Sequence, residues 1–208
     1  LSDKRDVGHL PLLGGQLCLD FANTIDWRLS DNPGDNLSAY ADLVAWSGHA
    51  GILSETEARS LKRRSRKSPA MASAVFKRGV ALRELIYRIF STVAQGNMPA
   101  RADVDELNSA LSESLSRMRL VPTAGSFEWG WEENGARLER PLWYIVQSAA
   151  TLLTIGKLDR IRQCNDDHCG WLFFDVSKNR SRRWCSMKDC GNRAKARRHY
   201  RKTRAETK

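Results

Sequence analysis

The feature that most constrains this chain is the stretch from Cys164 to Arg201. Four of its five cysteines fall there, as Cys164-x4-Cys169 and, after a fifteen-residue loop, Cys185-x4-Cys190. Two short pairs separated by a long loop are the layout of a structural zinc site, one Zn2+ held tetrahedrally by four thiolates. The x4 spacing sets it apart from the commoner x2 knuckles of generic zinc ribbons. Each pair ends in Cys-Gly, at Cys169-Gly170 and Cys190-Gly191. A glycine with φ > 0 at these places would let the chain turn tightly around the metal. A module of about 35 residues cannot build a sufficient core alone. The metal must therefore hold it together with Trp171, Leu172, Phe173 and Phe174, and zinc binding contributes on the order of 10–16 kcal/mol in small fingers. His168 adjoins Cys169, but four cysteines already close the shell, whereas a catalytic zinc keeps an open position.

The charge is as uneven as the cysteines. The net charge is +10; residues 1–155 hold 18 Lys+Arg against 18 Asp+Glu, and residues 156–208 hold 16 against 6. A neutral body with a basic terminal module points to a polyanionic partner reached through that module. The plainer alternative is a solvated basic tail. Against it, the charges interleave with metal ligands and aromatics. The chain opens with Asp3, Lys4, Arg5 and Asp6, unlike a secretory leader, and the initial Leu1 suggests that the initiator methionine or some leading residues are missing. The most apolar stretch, 142–155, is too short and polar to span a bilayer, so no membrane partner is expected. A cytoplasmic location follows, where thiols stay reduced and zinc is favoured over disulfides. Cys18, between Leu17 and Leu19, reads as a buried apolar residue.

The residues around the cysteines also resemble a known family. Cys190-Gly191-Asn192-Arg193, with Arg183-Trp184-Cys185-Ser186-Met187 and Cys169-Gly170-Trp171-Leu172-Phe173-Phe174-Asp175 before it, is similar to the CGNR zinc fingers of bacterial transcription regulators. The opening Gly14-Gly15-Gln16-Leu17-Cys18-Leu19-Asp20-Phe21-Ala22-Asn23-Thr24 resembles the start of the ABATE domain, described as stress-induced, which precedes the finger in that family. The resemblance implies a bacterial regulator with two parts. We expect an α-rich ABATE-like domain over 1–156, with a sensing or regulatory role, and a CGNR-type finger with a basic C-terminal helix over 157–208.

Along the chain, partial alternation over 12–27 predicts a short strand or extended segment. Asp20, Asn23, Thr24 and Trp27 collect at its end. They serve either as caps and turns or, for Asp20, Asn23 and Trp27, as a polar pocket for a small-molecule effector. A helix is expected over Leu37–His49, with Tyr40, Leu43, Val44 and Trp46 inward. Ser54-x-x-Glu57 is a capping box, and its helix ends in the run Lys62–Lys67, which complements the helix dipole as a solvated face. Pro69 starts a long helix with the stripe Leu82, Leu85, Ile86, Ile89, Phe90 and Val93. Asp103 opens another, with Val104, Leu107, Leu111 and Leu115 in register. Phe127, Trp129 and Trp131 alternate, and Glu133-Asn134-Gly135-Ala136 is a turn signal, so a β-hairpin is expected there. Pro141 begins an apolar helix expected at the centre of the body. The junction 156–163 lacks linker composition, and Leu158 and Ile161 can pack, so the finger should dock on the body. The fold class expected is mainly α, a multihelical body with a small antiparallel hairpin and a four-cysteine finger ending in a basic helix.

The four histidines are scattered, and no metalloprotease helix, nucleophile elbow or P-loop is present. The chain therefore reads as a regulator and not as an enzyme. Lys178, Arg180, Arg182, Arg183 and Lys188 surround the second knuckle. Beyond it Asn192, Arg193, Lys195, Arg197, Arg198 and Arg201 lie on a good helix-forming stretch. Asn192 and Arg193, at the metal-fixed helix start, are placed to read base edges, and the others to meet phosphates. DNA is the expected partner. RNA binding and docking on an acidic protein are the alternatives, and homo-oligomerisation is open.

Overall fold

The computed structural model describes residues 6–131 and 137–206, the side chains at 201, 202, 205 and 206 excepted. The body begins with α1 (Leu17–Ala22), where the sequence predicted an extended segment. Cys18, Leu19, Phe21 and Ala22 are all buried there. A helix covered on nearly every side carries no 3.6-residue polar period, so alternation of Leu17, Leu19 and Phe21 mimicked a strand. A short ladder follows, β1 (Ile25–Asp26) antiparallel to β2 (Gly34–Asp35).

Next come α2 (Tyr40–His49) and α3 (Glu55–Lys67). The first starts three residues later than Leu37, because the Asp42 carboxylate accepts from the Ser38 and Ala39 N–H groups at 2.8 and 3.2 Å and fixes the boundary there. Its inward residues Tyr40, Leu43, Val44 and Trp46 are buried. The capping box forms on α3, with Glu57 N–H donating to Ser54 Oγ at 3.2 Å and Ser54 N–H to the Glu57 carboxylate at 2.7 Å.

The axis of the body is α4 (Pro69–Ala94), whose stripe from Leu82 to Val93 is buried. It packs against α1, α2 and α3, and also against α5 (Arg101–Leu115) and α6 (Arg140–Ile155). Thus α6, expected at the centre, shares the core instead of organising it. Arg83 on α4 is 1% exposed. Its guanidinium donates two bonds to Asp35, at 2.8 and 2.7 Å, and pins β2 to the axis. On α5 only Leu107 of the predicted stripe is fully buried, and Leu115 is exposed.

Between α5 and α6 the hairpin forms, β3 (Met118–Thr123) with β4 (Ser126–Trp131). Its turn is Ala124-Gly125, with Gly125 at φ 90°. The predicted turn at 133–136 lies outside the described residues. Trp131 anchors the hairpin on α6, 5.4 Å from Trp143 and 5.3 Å from Tyr144 between ring centroids.

After α6, a single 3-10 turn leads into β5 (Ile161–Gln163), which pairs antiparallel with β6 (Leu172–Phe174). A π-helical turn (Met187–Gly191) then runs directly into α7 (Asn192–Glu206). The finger is docked as expected. Ile161 and Leu172 are fully buried within the core of the body.

Candidate metal centre and nucleic-acid interface

The finger holds two knuckles. Cys164 directly follows β5, and its N–H donates to Trp171 O at 2.8 Å, closing the first knuckle around Cys169. Gly170 has φ 71°, and a Cβ there would meet Leu29 Cγ at 2.8 Å. This is the tight turn predicted from the sequence. Gly191 differs: it is not among the positive-φ glycines, and a Cβ there would meet Met187 Sδ at 2.5 Å, the end of a flexible, exposed side chain that can move aside. Cys185 N–H points at Cys164 Sγ, 3.4 Å away, and Cys190 sits in the π-helical turn.

All four cysteines are buried, and their sulfurs lie within 4.8 Å of one another. Cys169 Sγ is 3.6 Å from Cys185 Sγ, which is 3.5 Å from Cys190 Sγ. These separations are far from a disulfide bond of about 2.05 Å. They approach the ~3.8 Å edge of a tetrahedron with 2.3 Å metal–sulfur bonds. Four soft donors in such a cage suit one structural Zn2+ with no open position. The ion would neutralise half the charge of four crowded thiolates.

The surroundings supply more positive charge. Arg193 Nη2 donates to Cys190 Sγ at 3.0 Å. Arg193 Nε and Arg197 Nη2 both reach Asp166 Oδ2, at 3.4 and 3.1 Å, and that carboxylate is completely buried. Burial opposes the charge on Arg193, but the Cys190 sulfur and the Asp166 carboxylate outweigh it and hold its pKa above the ordinary arginine value. Asp166 therefore fastens α7 to the first knuckle.

Two family models match the chain. ABATE, described as a putative stress-induced transcription regulator, matches residues 15–156, and the CGNR zinc finger matches residues 160–203. The chain belongs to the ABATE family. No curated protein matches it significantly. Both families are regulator and zinc-finger types and not enzymes, so the chain is a regulatory, zinc-binding protein.

The ABATE body contributes directly to the finger. Asn23, predicted as a cap or pocket residue, spends both ends of its amide on Leu172 in β6. Nδ2 donates to Leu172 O, and Leu172 N–H donates to Oδ1, each at 2.8 Å. Trp171 Nε1 donates to Ile25 O at 2.8 Å. The Arg28 and Leu29 N–H groups donate to Cys169 O and His168 O, each at 3.1 Å. Trp27 has φ 53°, and its ring lies 4.4 Å beneath the Arg193 guanidinium. It lines a small cleft beside the four cysteines with Leu13, Asp26, Trp171, Asp189 and Arg193. Asp20 and Asn23 are not among the cleft's lining residues. Asp20 instead accepts from Gly14 N–H at 2.7 Å, and burial raises its pKa to about 6.

The predicted basic contacts divide into two groups. Arg182 builds the finger: it donates to Trp184 O at 3.1 Å, stacks 4.3 Å over Phe173 and reaches Cys185 O. Arg180 pairs with Asp159, and Arg197 also approaches Asp167 at 3.6 Å. Asn192 Nδ2 donates to Lys188 O at 2.9 Å, which closes the turn before α7. Lys178, Arg183, Lys188, Lys195 and Arg198 are exposed, and none pairs with a carboxylate among the described residues. Arg183 lies 5.3 Å over Trp184. Arg201 is on α7, but its side chain is outside the description. Sequence reasoning did not single out Asp166 as the partner of Arg193, and Asp175, the acidic residue that closes the Trp171–Asp175 run, does not serve that role. The carboxylate of Asp175 is instead occupied by the Ser177 and Arg182 N–H groups at 2.8 and 3.0 Å.

Proposed function

We propose that this chain is a DNA-binding transcription regulator in which the zinc centre fixes α7 and presents one face of it to the duplex. The observation that carries the reading is the partition of charge around α7. Arg193 and Arg197, one helical turn apart, are turned inward onto Asp166. Lys195 and Arg198, three apart on a different face, are exposed and have no carboxylate partner among the described residues. With Lys178 and Lys188 near the second knuckle they supply a phosphate-binding surface. Asn192, exposed at the helix start, is the residue best placed for a base edge, and Arg193 becomes its support. In this reading residues 157–208 are the DNA module and residues 1–156 a regulatory body that acts in the cytoplasm. The body communicates with the finger through Asn23, Trp27 and Arg28.

The test is selection from random duplexes with full-length, zinc-loaded protein, followed by binding across a salt series on the selected DNA and on RNA. Log K should fall with log salt by about 0.9 per phosphate contacted. Lys195→Ala and Arg198→Ala should each reduce that slope by about one unit and weaken all sequences alike. Equal affinity for RNA, or no affinity for either polymer alongside capture of an acidic protein, would replace DNA as the partner.

A further inference from the structure

The hairpin is the part of the surface that the regulator reading leaves unused. Phe127 and Trp129 are 70% and 69% exposed, and Leu120, opposite Trp129, is 60% exposed. Pro122 stands opposite Phe127, so these four residues share the face whose base is the buried Trp131. Side chains of this size bury about 150–250 Å² each when covered. The face thus offers on the order of 300–400 Å² of apolar surface per chain, a patch of a size that is often functional. A two-stranded hairpin without a covered face is marginal in water, whereas a wider sheet is not.

Its two edges are unequal. In a two-residue turn the closing pair Thr123–Ser126 exchanges hydrogen bonds, and bonding alternates from there. The N–H and C=O groups of Phe127, Trp129 and Trp131 therefore point away from β3. On the opposite edge the same alternation puts the nitrogen of Pro122 outward, where proline has no N–H to offer, between Arg119 and the turn. The β3 edge is blocked. The β4 edge, Ser126-Phe127-Glu128-Trp129-Gly130-Trp131, has one charge, no proline and no strand partner among the described residues.

We propose that β4 is a homodimerisation edge, joining antiparallel to β4 of a second copy about a two-fold axis at Trp129. An antiparallel strand pair is self-complementary, which a closed two-fold dimer requires. Residues directly opposite must share a face, so only registers centred on a residue are allowed. Centring on Glu128 would set two like charges against each other in the close, non-hydrogen-bonded position. Centring on Trp129 places Glu128 opposite Gly130 and Phe127 opposite Trp131. It also stacks the two Trp129 rings beside each other. Edge pairing brings the Phe127, Trp129 and Trp131 side chains of the two copies side by side along the seam and leaves Leu120 and Pro122, on the outer strand, uncovered. The backbone ladder and these flanking rings make a small interface, which is why the dimer is reversible. A second copy is favoured over a base-stacking role because the open backbone edge, and not only the rings, is left unpaired. The interface does not depend on the DNA reading, and either can fail without the other.

The experiment is sedimentation velocity on full-length, zinc-loaded protein over a concentration range from about 1 to 100 µM. We expect a reversible dimer, and Trp129→Glu should raise its dissociation constant at least about 30-fold while zinc content and helical circular dichroism stay unchanged. Trp129→Cys should give a symmetric disulfide-linked dimer under mild oxidation, since the two copies meet at that residue, and Ser126→Cys should not. A wild-type protein that stays monomeric across the range overturns the proposal. So does a dimer that survives Trp129→Glu, or a monomer in which that variant loses nucleic-acid affinity instead.

Discussion

Asn23→Ala is the sharpest test of how body and finger are joined. The Asn23 side chain is 4% exposed, and Leu172, which it grips, is fully buried. Truncation removes both 2.8 Å bonds at once and leaves the Leu172 N–H and C=O without partners in a dry seam. Each orphaned buried group costs about 1–3 kcal/mol, so the loss of two should be about 2–6 kcal/mol. For a chain of this size that corresponds to a melting point lower by roughly 5–20 °C. Urea unfolding of zinc-loaded protein, followed by circular dichroism and tryptophan fluorescence, measures it as a shift in midpoint at constant slope. Hydrogen exchange gives an independent reading. The Leu172 amide, donor to Asn23 Oδ1, should exchange faster in the variant while amides at the centre of α4 keep their protection. Asn23→Asp should be no better than alanine, because it places an oxygen against Leu172 O and buries a charge. A loss below about 1 kcal/mol, the value of an ordinary helix cap, together with unchanged exchange at Leu172, would refute the argument that this amide holds the seam.

Three further outcomes follow from the geometry. Protein purified without chelator should contain one zinc per chain, and Cys185→Ser should lose it along with the ordered near-ultraviolet signal of Trp171 and Trp184; metal analysis by mass spectrometry decides this. Arg193→Ala should melt earlier and release zinc faster to a chelator while keeping its sequence preference, since the guanidinium serves Cys190, Asp166 and Trp27; binding-site selection with the variant checks it. Asp20 titrates near 6 in the folded chain because burial disfavours its charge, against about 3.9 unfolded. Its protonation therefore favours the folded state below about 4, and that contribution is lost as pH rises to about 6. Asp20→Asn should accordingly gain stability at pH 7, and the difference between variant and wild type should shrink as pH falls through this window.

What the sequence made legible is what local spacing encodes. The cysteine pairs, the Ser54–Glu57 box and the long stripe of α4 each depend on residues within a few turns of one another, so their patterns survive in one dimension. The side chains that assemble the finger on the body do not. Asn23 meets Leu172 across 149 positions, Arg83 meets Asp35 across 48, and Arg193 meets Asp166 across 27. Nothing in the immediate neighbourhood of Asn23 distinguishes a cap from a clamp. The helix α1 escaped for another reason: burial on nearly all sides erased the period that would have marked it. On α7 the composition showed basic residues all round, and only the placement of Asp166 separates those that build from those free to bind. The hairpin is legible through the alternating Phe127, Trp129 and Trp131, whereas its turn at Ala124-Gly125 carries no Asn-Gly or Asp-Gly signal to mark it.

The bonds that cross from body to finger bear on how this chain can be dissected. A fragment cut at residue 157 would strip Leu172 of its amide clamp, Trp171 of the Ile25 carbonyl, and the first knuckle of the donors at Arg28 and Leu29. It would also take away the ring on which Arg193 rests. The finger is consequently not a portable cassette. A graft that keeps its shape has to carry the α1-to-Leu29 segment with it, and with that segment the face of α4 on which it lies.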